Sequence, residues 1–162
     1  MIYILTGDIR TGKTTALLDW IKDRDDVDGL LCPDSENGMR YFLKVKSKEE
    51  FQLEVEAEGG IEKTISIGPF NFLRSAFEEA NTFLISKAKE LDSHYLIIDE
   101  LGKLELKNRG LHEAAELLVS VFSVNKKRHL IVVIRNNLLN EVLSHYSISK
   151  YTLLSKEELD SI

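Results

Sequence analysis

The sequence predicts an α/β protein in three layers: a mostly parallel sheet covered by helices, with an antiparallel β-hairpin region inserted between its two halves. Three observations carry this. "HYLIID" (94–99) and "HLIVVIR" (129–135) are unbroken apolar runs, as expected of parallel strands buried on both faces. The segments between such runs keep a helical spacing of apolar residues. In "FQLEVEAE", Phe51, Leu53, Val55 and Ala57 alternate with Gln52, Glu54, Glu56 and Glu58, the period of a half-buried antiparallel strand.

Taken in order, Ile2–Leu5 is a short apolar strand. A helix from Lys13 to about Lys22 follows, with Ala16, Leu17, Trp20 and Ile21 on one face. "DRDDVDG" (23–29) reads as a polar turn and Leu30–Cys32 as a second strand. Residues 33–67 form the expected β-hairpin insert within a single domain spanning 1–162. A long helix is expected from Gly68 to Leu91, its stripe built from Phe72, Leu73, Ala76, Phe77, Ala80, Phe83, Leu84 and Ala88. After the strand ending at Asp99 come a helix over 111–124, the strand ending at Arg135 and a helix over 138–146. "KYTLL" (150–154) reads as an edge strand and "SKEELDSI" as a last helical turn.

The chain has 162 residues, 43% hydrophobic and 30% charged, and a net charge of −6. An acidic balance argues against a nucleic-acid binder, which needs a basic face. The one dense basic cluster, "NKKRH" (125–129), reads as a solvated helix end. A single cysteine, Cys32, excludes an internal disulfide and fits a reducing compartment. No stretch has the length of a membrane span, and "MIYILTGD" has no basic leader, so a cytoplasmic protein with no membrane partner is expected.

"GDIRTGKT", Gly7 to Thr14, matches G-x-x-x-x-G-K-[ST] at every position. The spacing has a physical reason. Backbone N–H groups must wrap a di- or triphosphate, so glycine stands where side chains would collide. Lys13 then reaches the β- and γ-phosphates, the Thr14 hydroxyl ligates Mg²⁺, and the helix N-terminus favours the anion. Chance would give this pattern in about one chain of this length in a hundred or fewer, and here a strand precedes it and a helix follows. The nucleotide-binding residues expected are Gly7, Asp8, Ile9, Arg10, Thr11, Gly12, Lys13, Thr14 and Thr15.

Asp99 and Glu100 end the apolar run "YLII". The carboxyl end of a parallel strand is where ligands sit in such folds. Asp99 is therefore the expected second metal ligand beside Thr14, and Glu100 the residue that activates or orients an attacking water. "DELG" also reads as the D-x-x-G of small GTPases, but "NKKR" has arginine where their N-K-x-D has aspartate, which favours the reading with a catalytic glutamate. Two arginines are candidates for stabilising transition-state charge in cis: Arg135 at the end of its strand and Arg10 in the loop; Arg40 and Arg74 stand behind them.

With these motifs in place, the chain resembles the small P-loop nucleoside-triphosphatases first described from thermophiles and also called cancer-related nucleoside-triphosphatases. The resemblance rests on Gly7–Thr15, on "DELGKLEL" after its strand, on their spacing and on the "IGPFNF" approach to the long helix. It implies Mg²⁺-dependent hydrolysis of several nucleoside triphosphates, with Lys13 on phosphate, Thr14 and Asp99 on the metal and Glu100 as base. Lys103 and Glu105 match the motif and would shape the loop. The chain departs from the family in having Asp8, Ile9 and Arg10 where extra glycine or proline is common, and in lacking an Asn-Arg pair near its end. The same phosphate loop also serves small-molecule kinases and nucleotide-dependent switches. An insert whose one arginine is Arg40 argues against a phosphorylated acceptor, though not against a neutral one.

Overall fold

The computed structural model describes residues 1–56, 63–90 and 92–162. Strands β1 (Ile2–Gly7), β2 (Val27–Leu31), β3 (Tyr41–Lys44), β4 (Glu50–Gln52), β8 (Tyr95–Leu101), β9 (His129–Arg135) and β10 (Thr152–Leu154) form a seven-stranded sheet in the order β10-β1-β9-β8-β2-β3-β4. The five strands from β10 to β2 are mutually parallel, and β3 and β4 continue the sheet antiparallel. A second, antiparallel sheet holds β5 (Glu54–Val55), β6 (Thr64–Ile67) and β7 (Phe70–Leu73) in the order β5-β7-β6.

The apolar runs become central strands because each alternates its side chains between two covered faces. Leu96 and Ile98 of β8 and Leu130, Val132 and Ile134 of β9 pack under α2 (Arg74–Lys89), α3 (His112–Val124) and α4 (Leu139–His145). Ile97, Ile131 and Val133 face the other way, under α1 (Lys13–Trp20) and the closing 3-10 segment Lys156–Ser161. Each such burial contributes roughly 1.5–3 kcal/mol. The mixed sheet between two helical layers is the architecture expected from the sequence. "KYTLL" does supply an edge strand, parallel to β1, and Ser155 and Glu158 form a capping box on the last segment.

Four local expectations are corrected. The long helix starts at Arg74, not Gly68: Gly68 and Pro69 turn the chain between β6 and β7, and Phe70–Leu73 is strand. Phe72 of β7 and Phe77 of α2 are both buried and meet edge to face, so residues of two elements imitate one helical stripe. "FQLEVEAE" is two strands broken at buried Leu53, where the chain leaves the main sheet for the small one; Ala57 and Glu58 lie outside the described residues. "NKKRH" is no solvated end throughout, because Arg128 is buried and donates to the carbonyls of Lys87, Ala88 and Ser93 below α2.

The fourth concerns β2, which starts at Val27 inside the expected turn. Asp28 is buried, accepting from the Gly29 and Lys46 N–H groups with Lys87 Nζ 3.4 Å away. Gly29 has φ +123°, and a Cβ there would lie 2.2 Å from the Ile97 carbonyl oxygen on β8. Both the dihedral and the space exclude a side chain. Gly29→Ala is therefore expected to cost roughly 3 kcal/mol or more, checked as a melting temperature lowered by several degrees.

Candidate nucleotide site

The site gathers at the carboxyl ends of β1, β8 and β9. β1 ends at Gly7, and the loop 8–12 runs into α1 with Gly12 at φ +84° and Arg10 at φ +56°. A Cβ on Gly7 would lie 3.1 Å from Thr11 Oγ1, and Thr11 Oγ1 donates to the Asp8 carbonyl at 2.8 Å. No side chain caps α1, so its first N–H groups open toward the loop. Lys13 is 7% exposed; its Nζ donates to the carbonyls of Asp8 at 2.6 Å and Gly7 at 3.2 Å, lying across the loop. Burial lowers its pKa, with Glu100 and other nearby carboxylates opposing.

Thr14 Oγ1 donates to Asp99 Oδ2 at 2.9 Å, and the Cys32 N–H reaches the same oxygen at 3.2 Å. Asp99 is 2% exposed, and its pKa is raised to about 7, first by burial and then by the charge of Glu100, against the donors Cys32 N–H and Thr14. Glu100 Oε1 pairs with Arg135 Nη2 at 2.7 Å and stands 4.0 Å from Arg40 Nη1. β9 lies beside β1 with Arg135 opposite Gly7, which brings an arginine distant in sequence to the loop. The next residue, Asn136, accepts from Thr6 Oγ1 at 2.7 Å and donates to Asp8 Oδ1 at 3.1 Å, tying β9 to the loop.

These groups border a cleft of about 470 Å³ lined by residues 9–15, Cys32–Asp34, Arg40, Asp99, Glu100 and Arg135. Of the four candidate arginines, Arg135 and Arg40 stand at Glu100. Arg10 lines the cleft from the exposed loop, and Arg74 is exposed at the start of α2. Glu105 braces the segment behind Glu100: its oxygens accept from the Gly102 N–H at 2.8 Å and the Leu111 N–H at 2.9 Å. Lys103 of the same motif is exposed. Lys156, which sequence reasoning did not single out, donates to the Thr11 carbonyl at 2.7 Å. No local pattern marks it; it reaches the loop only because β10 pairs with β1.

A phosphate-loop fold with a cleft of this build defines a P-loop nucleotide-binding NTPase. The chain belongs to the NTPase family, whose family model matches residues 2–162. Its fold is similar to that of THEP1 from the hyperthermophile Aquifex aeolicus, with a TM-score of 0.70 over 99% of this chain and 93% of that one, at 16% identity. No curated protein matches the sequence. Among the described residues no helix is long and apolar enough to cross a membrane.

Proposed function

We propose that the protein is a Mg²⁺-dependent nucleoside-triphosphate phosphohydrolase of broad base specificity, working in the cytoplasm. The observation that carries this is the meeting, at the end of β8, of a hydroxyl–carboxylate pair (Thr14 and Asp99, 2.9 Å) with a carboxylate–guanidinium pair (Glu100 and Arg135, 2.7 Å).

The first pair suits Mg²⁺: both donors are hard oxygens, and this ion takes few protein ligands beside phosphate and water. Held there by Thr14 and Asp99, the ion would supply positive charge against the phosphates as charge develops on them. The rest falls to the chain's own residues. Loop N–H groups and the Lys13 ammonium bind the phosphates. Glu100 accepts the proton of the attacking water. Arg135, released from Glu100 as that carboxylate is neutralised, turns its guanidinium to the γ-phosphate oxygens. Broad base specificity is supported by Ile9 (59% exposed) and Leu18 in the lining of the cleft, apolar side chains whose contacts do not distinguish one base from another.

The test is phosphate release from ATP, GTP, CTP and UTP with and without Mg²⁺. Metal-dependent release from several of them is expected; release from one base alone would remove the broad specificity. Arg135→Ala should lower kcat by about 10- to 100-fold, the worth of a charge-assisted hydrogen bond, with a much smaller change in nucleotide Kd. A neutral result would shift the role to Arg10.

A further inference from the structure

A second pocket, of about 210 Å³, adjoins the nucleotide cleft on the far side of Glu100 and shares Cys32, Arg40, Asp99, Glu100 and Arg135 with it. Phe42 of β3, Leu53 at the break between the sheets, Ile67 of β6, Phe72 of β7, Phe77 of α2 and Leu111 line it. Cores normally close on themselves; here residues of the main sheet and of the small one line an open space together. An apolar pocket with a few polar groups at one end is the form of a small-molecule site.

The polar end fixes the chemistry. Glu100, the proposed proton acceptor, lies on the boundary of both spaces, so a hydroxyl held in the pocket meets the same carboxylate as a water would. The two arginines there face carboxylates. Arg135 pairs with Glu100 at 2.7 Å, and Arg40 stands between Glu100 and Asp34 (4.0 and 3.9 Å) with its guanidinium over the Phe70 ring. Buried Glu105 is satisfied by two backbone N–H groups, and Lys103 is exposed to solvent. The deep walls, away from Lys103 on the exposed side, therefore offer apolar contact and no counter-charge for an ionic body.

We propose that this pocket seats the apolar body of a small neutral alcohol, whose hydroxyl takes the γ-phosphoryl group in place of water. The inference rests on the reading that the γ-phosphate lies beside Thr14, Asp99 and Glu100. In the step, the alcohol O–H bond breaks and its proton passes to the Glu100 carboxylate. The alcohol oxygen bonds to the γ-phosphorus, and the bond to the β-phosphate oxygen breaks with its electron pair leaving on the diphosphate. The products are a phosphate monoester and a nucleoside diphosphate, and Glu100 returns its proton to solvent.

The test incubates the full chain with Mg-ATP, with and without benzyl alcohol or 3-phenylpropanol, and follows ester and free phosphate by phosphorus NMR. Ester is expected with the alcohols, and its ratio to free phosphate should fall by about tenfold in Ile67→Trp, which fills the pocket. Should that variant not fold, Ile67→Ala reads the same wall. Its yield of ester from 3-phenylpropanol should rise several-fold relative to benzyl alcohol, and an unchanged ratio overturns the proposal. Phosphate release with no ester from either alcohol overturns the acceptor pocket and leaves the hydrolase standing. Ester in the presence of alcohol, with no phosphate release in its absence, supports the pocket and overturns the hydrolase reading. No ATP consumption under any condition overturns both.

Discussion

Lys13→Ala is expected to lose nucleotide binding and turnover together. The ammonium lies across the loop, donating to the carbonyls of Asp8 at 2.6 Å and Gly7 at 3.2 Å, and little of it meets solvent. It thus has two consequences for a phosphate. It is the nearest buried cation, and it fixes the curve of the backbone whose N–H groups must point inward. Alanine removes both at once. A hydrogen bond to a charged group is worth about 1.5–3 kcal/mol, so triphosphate Kd should weaken by about 10- to 100-fold or more. Removing a donor aimed at transition-state charge should lower kcat by a further factor of about 10²–10³. Nucleotide titration by calorimetry and phosphate release, beside a melting curve for folding, read these effects separately. Unchanged hydrolysis in a folded Lys13→Ala protein would remove the loop from the site.

How much of this arrangement the sequence carries depends on how far apart its parts are. Gly7 to Thr14 is legible because strand, loop and helix are contiguous, so local spacing alone dictates the cradle. Asp99 and Glu100 are legible because two carboxylates interrupt an apolar run near the carboxyl end of its strand, although that strand runs on to Leu101 and Asp99 stays buried. Arg135 is legible as a strand end, but its pairing with Glu100 depends on β9 inserting between β1 and β8, a strand order that no local pattern encodes. Arg40 is hidden further. It stands among the candidate arginines, inside the insert, and it reaches Glu100 because β3 turns back antiparallel along β2. Lys156 has the same excuse on the other edge.

The fold-level misreadings have the same origin. Asp28 and Gly29 look like turn residues because burial of a carboxylate and close approach of two backbones are long-range events, decided by β8 and Lys87. Phe72 and Ala76 fall at a helical interval because both must fill one apolar cluster, and the cluster does not register that a strand supplies one and a helix the other. Periodicity reports which residues share a core. It reports element type only when one element supplies the whole stripe.

Glu100→Gln is expected to separate holding a nucleotide from cutting it. Glutamine keeps the length and an oxygen that can still accept from Arg135, now 2.7 Å from the carboxylate, so the local geometry should survive. Binding should survive too, since Lys13, Thr14 and Asp99 are untouched and the substitution removes a negative charge that crowds Asp99. An amide cannot take a proton from water, however, so the chemical step should slow by about 10²–10⁴-fold, in kcat with little change in Mg-nucleotide Kd. Single-turnover phosphate release with a parallel binding titration reads the two apart. Equal losses in both would mean that Glu100 holds the site's shape through Arg135 and Arg40, and that a proton acceptor must be sought elsewhere. A slow variant with intact affinity would instead mean that the carboxylate acts on the attacking oxygen, since glutamine copies the shape of this group and its contact with Arg135 but not its basicity.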